Sequence, residues 1–148
     1  MPAFAGMTIK GGEMAFIKLD DSVFVAGQIV PEDVAEAARM GIVSIINNRP
    51  DGEESGQPSS VEIKAAAQAA NLAYIHIPIA GGFSEDQVAA MADALEHGPV
   101  LAFCRSGTRS TYLWALARAA EGADGEALIA TASAAGYDLG PLRPHLVR

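Results

Sequence analysis

The sequence contains little cysteine, few basic residues and no long apolar runs. One cysteine among 148 residues excludes an intramolecular disulfide and suits a reducing compartment. Ten lysine and arginine residues against eighteen acidic residues give a net charge of -8, which argues against general binding to nucleic acids or to anionic membranes. No apolar stretch approaches the length of a membrane span.

Targeting and linker segments are also missing. The N-terminal stretch MPAFAGMTIKGGEM has no basic region followed by a long apolar core, so we expect no secretory signal and a cytoplasmic location. We expect residues 1–13 to form a flexible tail and residues 14–148 to form a single catalytic domain. The length suits one domain, and 50% hydrophobic residues suit a compact globular protein.

Cofactor and metal signatures are missing as well. Neither GxGxxG nor the P-loop pattern with its lysine occurs. The three histidines, His76, His97 and His145, show no ligand spacing with one another or with the cysteine. We therefore expect no cofactor and no metal.

Strand-like and helix-like segments alternate along the chain. Two short strands are predicted within residues 15–26, with a turn at Asp20 and Asp21. Helix signals are Pro31 with its stop at Gly41, and the capping boxes Ser59–Glu62 and Ser84–Gln87. Three further strand-like runs cover residues 42–48, 72–80 and 98–104. This order predicts an α/β fold with a mainly parallel sheet flanked by helices.

The single cysteine lies where the last strand-like run meets a helix. The segment CRSGTRS, residues 104–110, is called the cysteine loop below. A strand-to-helix turn directs backbone N–H groups and the positive end of the helix dipole at one point, and Gly107 allows a tight bend. The same field stabilises a thiolate. We predict that Cys104 is a nucleophile in an anion-binding loop.

The other residues of the cysteine loop receive roles in anion binding. Arg109 is predicted to hold the anion with its planar fork and to act with Cys104 in catalysis. Arg105 is expected at the mouth of the site, and Ser110 is expected to cap the helix or to donate a hydrogen bond to the sulfur. The remaining backbone N–H donors are Ser106, Gly107 and Thr108.

A second polar segment, NNRPDGEE, follows the strand-like run 42–48. Because parallel strands end at one edge of a sheet, we expect Asn48, Arg49 and Asp51 to be candidates for the pocket rim. The alternative for Arg49 is a salt bridge to Glu53 or Glu54 in its own loop.

Other interpretations, most of them structural, stay open at several positions. Cys104 could be an inert buried thiol, or it could pair with His145 in a Cys–His hydrolase. His76 is expected to be packed or hydrogen-bonded. Trp114 is either a partly exposed anchor for a partner or a packed ring, and residues 141–148 are expected to form a tail.

The cysteine loop resembles the active loops of protein tyrosine and dual-specificity phosphatases, and also those of rhodanese-type sulfurtransferases. With VAGQIVPEDV, INNRPDGEESGQPS and YIHIPIAGG, the chain resembles, over about residues 14–138, the beta-lactamase-hydrolase-like phosphatase-like family. That bacterial domain occurs alone or fused to a persulfide dioxygenase. The resemblance implies a fold similar to dual-specificity phosphatases.

The loop departs from the phosphatase pattern in length. Those phosphatases place the essential arginine six positions after the cysteine, where this chain has Ser110. Arg109 comes one position earlier, so that the loop from cysteine to arginine has six residues, the usual size in rhodaneses. Phe103 also stands where the phosphatases usually have histidine.

The general acid is the second departure. The resemblance implies an aspartate shortly after the strand at 72–80, yet Ala80, Gly81 and Gly82 follow it. Asp86 comes later, with Glu85, as a candidate acid or as an ordinary first-turn charge of a helix. Sulfur transfer needs no such acid, because a leaving group such as sulfite departs unprotonated.

Three functions are therefore carried forward. The first is a sulfurtransferase that takes sulfane sulfur from thiosulfate or a persulfide through a Cys104 persulfide, with a thiol acceptor or a persulfide dioxygenase as partner. The alternative is a phosphatase that acts on a phosphoester through a Cys104 phosphocysteine, with Asp86 or a water supplying the proton. The third is a non-catalytic module that senses anions or persulfides.

Overall fold

A five-stranded sheet forms the centre of the protein, seen in a computed structural model that describes residues 16–147. The strand order is β1-β2-β5-β3-β4. Only β1 is antiparallel to its neighbour, and all other pairs are parallel. This confirms the mainly parallel α/β fold. The strands are β1 (Ile17–Asp20), β2 (Val23–Ala26), β3 (Ser44–Asn47), β4 (Ala73–His76) and β5 (Val100–Phe103).

The strands occupy the places that their side chains favour. The apolar strands β3 and β5 are buried along their whole length, as expected for the middle of a sheet covered on both faces. Strand β4 lies at one edge and ends before Pro78, whose missing N–H excludes it from a central position.

Helices cover both faces of the sheet. Val34 and Ala37 of α1 and Ile63 and Ala67 of α2 pack in one apolar cluster. The other face is covered mainly by helices that follow β4 and β5, and Leu113 is one of the buried residues of that cluster. The helices are α1 (Pro31–Arg39), α2 (Ser60–Ala69), α3 (Glu85–Leu95), α4 (Thr108–Ala120), α5 (Gly125–Ala134) and α6 (Arg143–Leu146).

Both predicted capping boxes are confirmed. Ser59 Oγ accepts from the backbone N–H of Glu62 at 3.1 Å, and Glu62 Oε1 accepts from the N–H of Ser59 at 2.9 Å. Ser84 and Gln87 make the same reciprocal pair at the start of α3. Each box satisfies two helix-end donors and so fixes where α2 and α3 begin.

The C-terminal segment differs from the expected tail. Residues Gly140–Leu142 form a 3₁₀ turn that leads into α6, because buried Leu142 and Leu146 pack against the core. Trp114 is a packed ring, 1% exposed, with its Nε1 donating to Asp20 at 2.9 Å. The predicted tail at residues 1–13 lies outside the described residues. Over residues 16–147, no helix is long and apolar enough to cross a membrane.

Candidate active site

The cysteine loop joins β5 to α4 and turns at Gly107. Gly107 has a left-handed φ of 92° and is the N-cap of α4. Its backbone N–H donates to Cys104 Sγ at 3.1 Å, and its carbonyl accepts from Thr111 Oγ1 at 2.8 Å. The sulfur therefore lies at the N-terminal end of α4, where it meets an N–H donor and the positive end of the helix dipole.

The end of β2 supports the loop from one side. The backbone N–H of Cys104 donates to Ala26 O at 3.3 Å, and that of Gln28 donates to Arg105 O at 3.2 Å. A Cβ on Gly27 would lie 3.0 Å from Arg105 O. Gly27 is therefore suited to this close approach of two backbones.

Tyr137 supports the loop from the other side. Its hydroxyl donates to Ser106 O at 3.1 Å and lies where a Cβ on Gly107 would be. Burial raises the pKa of Tyr137, and the electrostatic interaction with Cys104 raises it further. The phenol thus stays protonated as a donor that fixes the loop.

Arg109 extends from the first turn of α4 to the neighbouring loops. Its Nη1 donates to Glu53 Oε2 and to Ile79 O, each at 2.8 Å, and its Nη2 donates to Glu53 Oε1 at 2.9 Å. The hydrogen bond to Glu53 raises the pKa of Arg109, to which Cys104 also contributes. The guanidinium therefore remains a cation close to the thiol.

Glu53 is shared by two arginines. Besides Arg109, it accepts from Arg49 Nε at 2.8 Å. The hydrogen bond from Arg109, with a further contribution from Arg49 and against the effect of burial, lowers the pKa of Glu53 to about 2. Glu53 is consequently a carboxylate near neutral pH and a poor source of protons.

Arg49 lies beside the pocket and also forms ion pairs within its own loop. It lines the pocket above the loop, and it also pairs with Glu53 at 2.8 Å and Glu54 at 3.0 Å. Its side chain is 3% exposed, and Nη1 donates to Gln28 Oε1 at 3.0 Å. A nearly buried guanidinium with all of these partners is a fixed part of the site.

Three of the predicted site residues have structural contacts instead. Ser110 neither caps α4 nor donates to the sulfur, because its one hydroxyl proton is donated to Asn48 Oδ1 at 2.8 Å. Asn48 is buried, with its amide donating to Ile77 O at 3.0 Å. Asp51 is exposed and accepts from the N–H of Ser60 at 2.7 Å. Asn48 and Asp51 therefore do not form the pocket rim.

An open pocket of about 450 Å³ lies above the cysteine loop. Its lining consists of charged side chains: Arg49, Glu53, Glu54, Arg105 and Arg109. The side chain of Arg105, which is predicted to lie at the mouth of the site, is 70% exposed, whereas Cys104 is 1% exposed. No aromatic ring is among the residues that line this pocket or the adjoining one of about 360 Å³.

Other candidates lie away from this pocket. Asp86 is exposed in the first turn of α3 and lines neither of these two pockets. His145 lies in α6 beside a separate apolar groove. His76 is hydrogen-bonded, as expected, with Nε2 donating to Arg49 O at 2.9 Å. Among the described residues, no group of His, Cys, Asp or Glu could hold a metal.

Sequence reasoning missed two contributors to the site. Glu53 was considered only as a partner for Arg49, although the acidic run after Arg49 placed carboxylates near the carboxyl edge of the sheet. Tyr137 comes from a segment thirty-one positions from its partner Ser106, and no local pattern marked it. Both contacts depend on how distant segments pack.

Comparison with known proteins identifies the family. Residues 15–121 match the model of the beta-lactamase hydrolase-like protein, phosphatase-like domain. The chain belongs to this family. A beta-lactamase hydrolase-like protein of Agrobacterium fabrum is 40% identical over 114 residues, which are 74% of this chain and 26% of the relative. The chain thus spans about a quarter of the length of that relative.

Solved structures support the same assignment. A candidate phosphatase of Neisseria meningitidis has a TM-score of 0.76 and 36% identity, over 87% of this chain and 94% of that one. P. aeruginosa TpbA, solved as a cysteine-to-serine variant with phosphotyrosine, has a TM-score of 0.56 and 15% identity, over 99% and 94% of the chains. The chain is a phosphatase-like domain. The family and the Neisseria neighbour favour the phosphatase alternative over sulfur transfer, whereas the likeness to TpbA shows a shared fold.

Proposed function

We propose that this protein is a cysteine-dependent phosphatase that hydrolyses small phosphoesters through a phosphocysteine at Cys104. The observation that carries the proposal is the contact of Cys104 Sγ with the N–H of Gly107 at the start of α4. Arg109 lies beside this thiol, and the fold is shared with tyrosine phosphatases. Nucleophile and oxyanion donors therefore converge at one place.

The reaction would proceed in two displacements. Backbone N–H groups of the loop and the guanidinium of Arg109 would bind the phosphoryl oxygens. Attack by the Cys104 thiolate would form a sulfur–phosphorus bond while the ester oxygen–phosphorus bond breaks, and the leaving oxygen would take its proton from solvent. Water would then attack phosphorus, releasing phosphate and regenerating the thiolate.

The charges around the pocket suggest which phosphoesters react. Glu53 is held ionised by Arg109 and Arg49, and Asp86 does not line the pocket. Without a well-placed acid, reaction should favour leaving groups that depart with little protonation. Aryl phosphates meet this requirement better than alkyl phosphates, and TpbA has been solved with phosphotyrosine.

Hydrolysis of a series of aryl phosphates with leaving groups of increasing pKa tests this proposal. We expect turnover in the native protein, a steep fall in kcat/KM with leaving-group pKa because kcat/KM reports the first displacement, and no turnover in Cys104→Ser. Ser22→Ala lies near the opposite end of the sheet, beside Asp20. It is the control that shows whether activity is lost merely by preparing a variant protein. Equal turnover in Cys104→Ser would refute a phosphocysteine.

Sulfur transfer is the second candidate, because the loop from Cys104 to Arg109 has six residues and the pocket lacks a protonated acid. In that reaction, the thiolate would attack the outer sulfur of thiosulfate and release sulfite, leaving a Cys104 persulfide. A thiol acceptor or a persulfide dioxygenase would then take up the sulfur. Intact mass after thiosulfate treatment distinguishes the candidates: a cyanide-labile gain of one sulfur, with no phosphatase turnover, would replace the first proposal.

A further inference from the structure

One edge of the Arg109 guanidinium has no oxygen or nitrogen partner among residues 16–147, although the side chain does interact with Cys104. Its five N–H groups lie in one plane, and three of them are donated to the two oxygens of Glu53 and to Ile79 O. Within residues 16–147, Nε and the second Nη2 hydrogen have no oxygen or nitrogen partner. These two hydrogens point the same way and make a second fork for an oxyanion.

We infer that Glu53 is a positioning residue, which holds one edge of Arg109 so that the free Nε–Nη2 edge serves the anion at Cys104. This inference rests on the proposed anion-binding function of the cysteine loop. Glu53 itself does not touch the reacting atoms. It acts by fixing the rotation of the guanidinium, as does the carbonyl of Ile79 on the Nη1 side.

The support behind Glu53 is itself rigid. Arg49 Nε donates to the same Oε1 atom that accepts from Arg109. Arg49 is in turn held by Glu54 and by Gln28, and its side chain is 3% exposed. The contacts therefore run from Gln28 through Arg49 and Glu53 to Arg109. Because Glu53 is fixed in this way, its carboxylate is already in position to orient Arg109 before a substrate binds.

A competing role for Glu53 would have the opposite consequence. If its carboxylate occupied the edge of Arg109 that the substrate needs, removing the charge would strengthen anion binding. The positions of the hydrogen bonds argue against competition, because Glu53 engages the Nη1–Nη2 edge and leaves the Nε–Nη2 edge free. Glu53→Gln therefore distinguishes the two roles: anion binding weakens if Glu53 positions Arg109, and it strengthens if Glu53 competes with the substrate.

Alkylation of the Cys104 thiol shows whether anion binding rises or falls in Glu53→Gln, and it does so without requiring turnover. Cys104 is the only cysteine in the chain, so intact mass reports its reaction directly. Anionic iodoacetate and neutral iodoacetamide react in the same way: a sulfur–carbon bond forms and iodide leaves. Their rate ratio therefore isolates how well the site receives an anion, independently of how reactive or how exposed the sulfur is.

We expect the native protein to favour iodoacetate, and Glu53→Gln to lower the iodoacetate-to-iodoacetamide rate ratio about tenfold, the size of one lost charge-assisted hydrogen bond. Glu53→Asp keeps the charge and should recover part of the ratio. Glu36→Gln is the matched control, since it removes a carboxylate paired with Arg39 on the exposed face of α1, and it should leave the ratio unchanged.

Each remaining outcome has a defined meaning. A higher or an unchanged ratio in Glu53→Gln would overturn the positioning role, and a ratio near one in the native protein would overturn anion binding by the loop. A collapsed loop would instead speed both reagents, because Cys104 is buried. If the native protein hydrolyses no aryl phosphate but the ratio falls as expected, the phosphatase proposal fails while the role of Glu53 stands.

Discussion

Two loops at the same edge of the sheet divide the work of the site. In the proposed reaction, the cysteine loop, residues 104–110, supplies the nucleophile, the backbone donor of Gly107 and Arg109. The loop after β3, residues 48–58, supplies Glu53 and Arg49, which hold Arg109 in place. On this proposal, the first loop contains the reacting groups, and the second holds Arg109 in its orientation.

The two loops differ in how tightly their charges are engaged. Arg105 of the cysteine loop is 70% exposed, and its only ion-pair contact among the described residues is with Glu54 at 3.9 Å. Arg49 of the β3 loop is 3% exposed and bonded to three side chains. The comparison indicates two different uses of arginine near the pocket. An exposed arginine such as Arg105 is available to a substrate, whereas a buried and fully bonded one such as Arg49 is part of the structure around the pocket.

Of the two arginines in the cysteine loop, Arg109 should have the larger effect on catalysis when it is replaced. Arg109→Lys keeps the charge but loses the planar fork and its bonds to Glu53, so we expect kcat/KM for an aryl phosphate to fall about a hundredfold. Arg105→Lys is the matched change at the exposed mouth and should cost less than about tenfold. Equal losses in the two variants would contradict the division between the loops.

Replacing Gly107 tests the fixed shape of the cysteine loop. Gly107→Ala places a Cβ at a φ of 92° and against the hydroxyl of Tyr137. We expect the free energy of unfolding to drop by about 2–4 kcal/mol, from backbone strain plus overlap. The measurement is urea denaturation of the variant and the native protein.

Gly122→Ala is the control for that measurement. Gly122 has a φ of 100° and nothing within 4 Å of an added Cβ. Its alanine variant should therefore lose only the free energy of the backbone strain, about 1–2 kcal/mol. If the two glycine variants lose the same stability, the contact between Gly107 and Tyr137 has no energetic role.

Acid titration of stability tests the β3 loop. Because the pKa of Glu53 is lowered from 4.5 to about 2 by Arg109 and Arg49, its charge stabilises the folded state above pH 4.5, and this stabilisation is lost as pH falls toward 2. The stability difference between the native protein and Glu53→Gln should be full at neutral pH and shrink over that window. A difference that stays constant with pH would show that the ion pairs add nothing.

The smallest effect is expected at Asp86. This side chain is exposed at the start of α3 and lines neither pocket beside the cysteine loop. Asp86→Asn should leave kcat for aryl phosphates within about twofold, apart from a small loss of helix stability. A large fall confined to substrates with poor leaving groups would instead make Asp86 the missing acid.

Much of the fold could be predicted because it depends on local signals. The capping boxes at Ser59 and Ser84 begin helices where predicted, and Pro78 marks the end of an edge strand. The C-terminal turn and α6 could not be predicted, since the four residues of α6 are too few to show a helical period and are ordered by packing.

In the candidate site, too, residues with a local signal could be predicted and residues without one could not. Cys104, Gly107 and Arg109 could be proposed from the sequence because one short segment contains them all. Ser110 was misassigned, because the hydroxyl of a residue inside α4 turned to Asn48, sixty-two positions away. Glu53 and Tyr137 reach the loop from distant segments, so their contacts follow from the tertiary structure and from no motif.

Trapping the intermediate on the single cysteine tests the central claim most directly. We would mix the protein with an aryl phosphate, quench within the first turnover and record the intact mass. The account predicts a transient gain of one phosphoryl group at Cys104, absent in Cys104→Ser. Aryl phosphate turnover with an unmodified Cys104 throughout, and the same mass profile in both proteins, would contradict it.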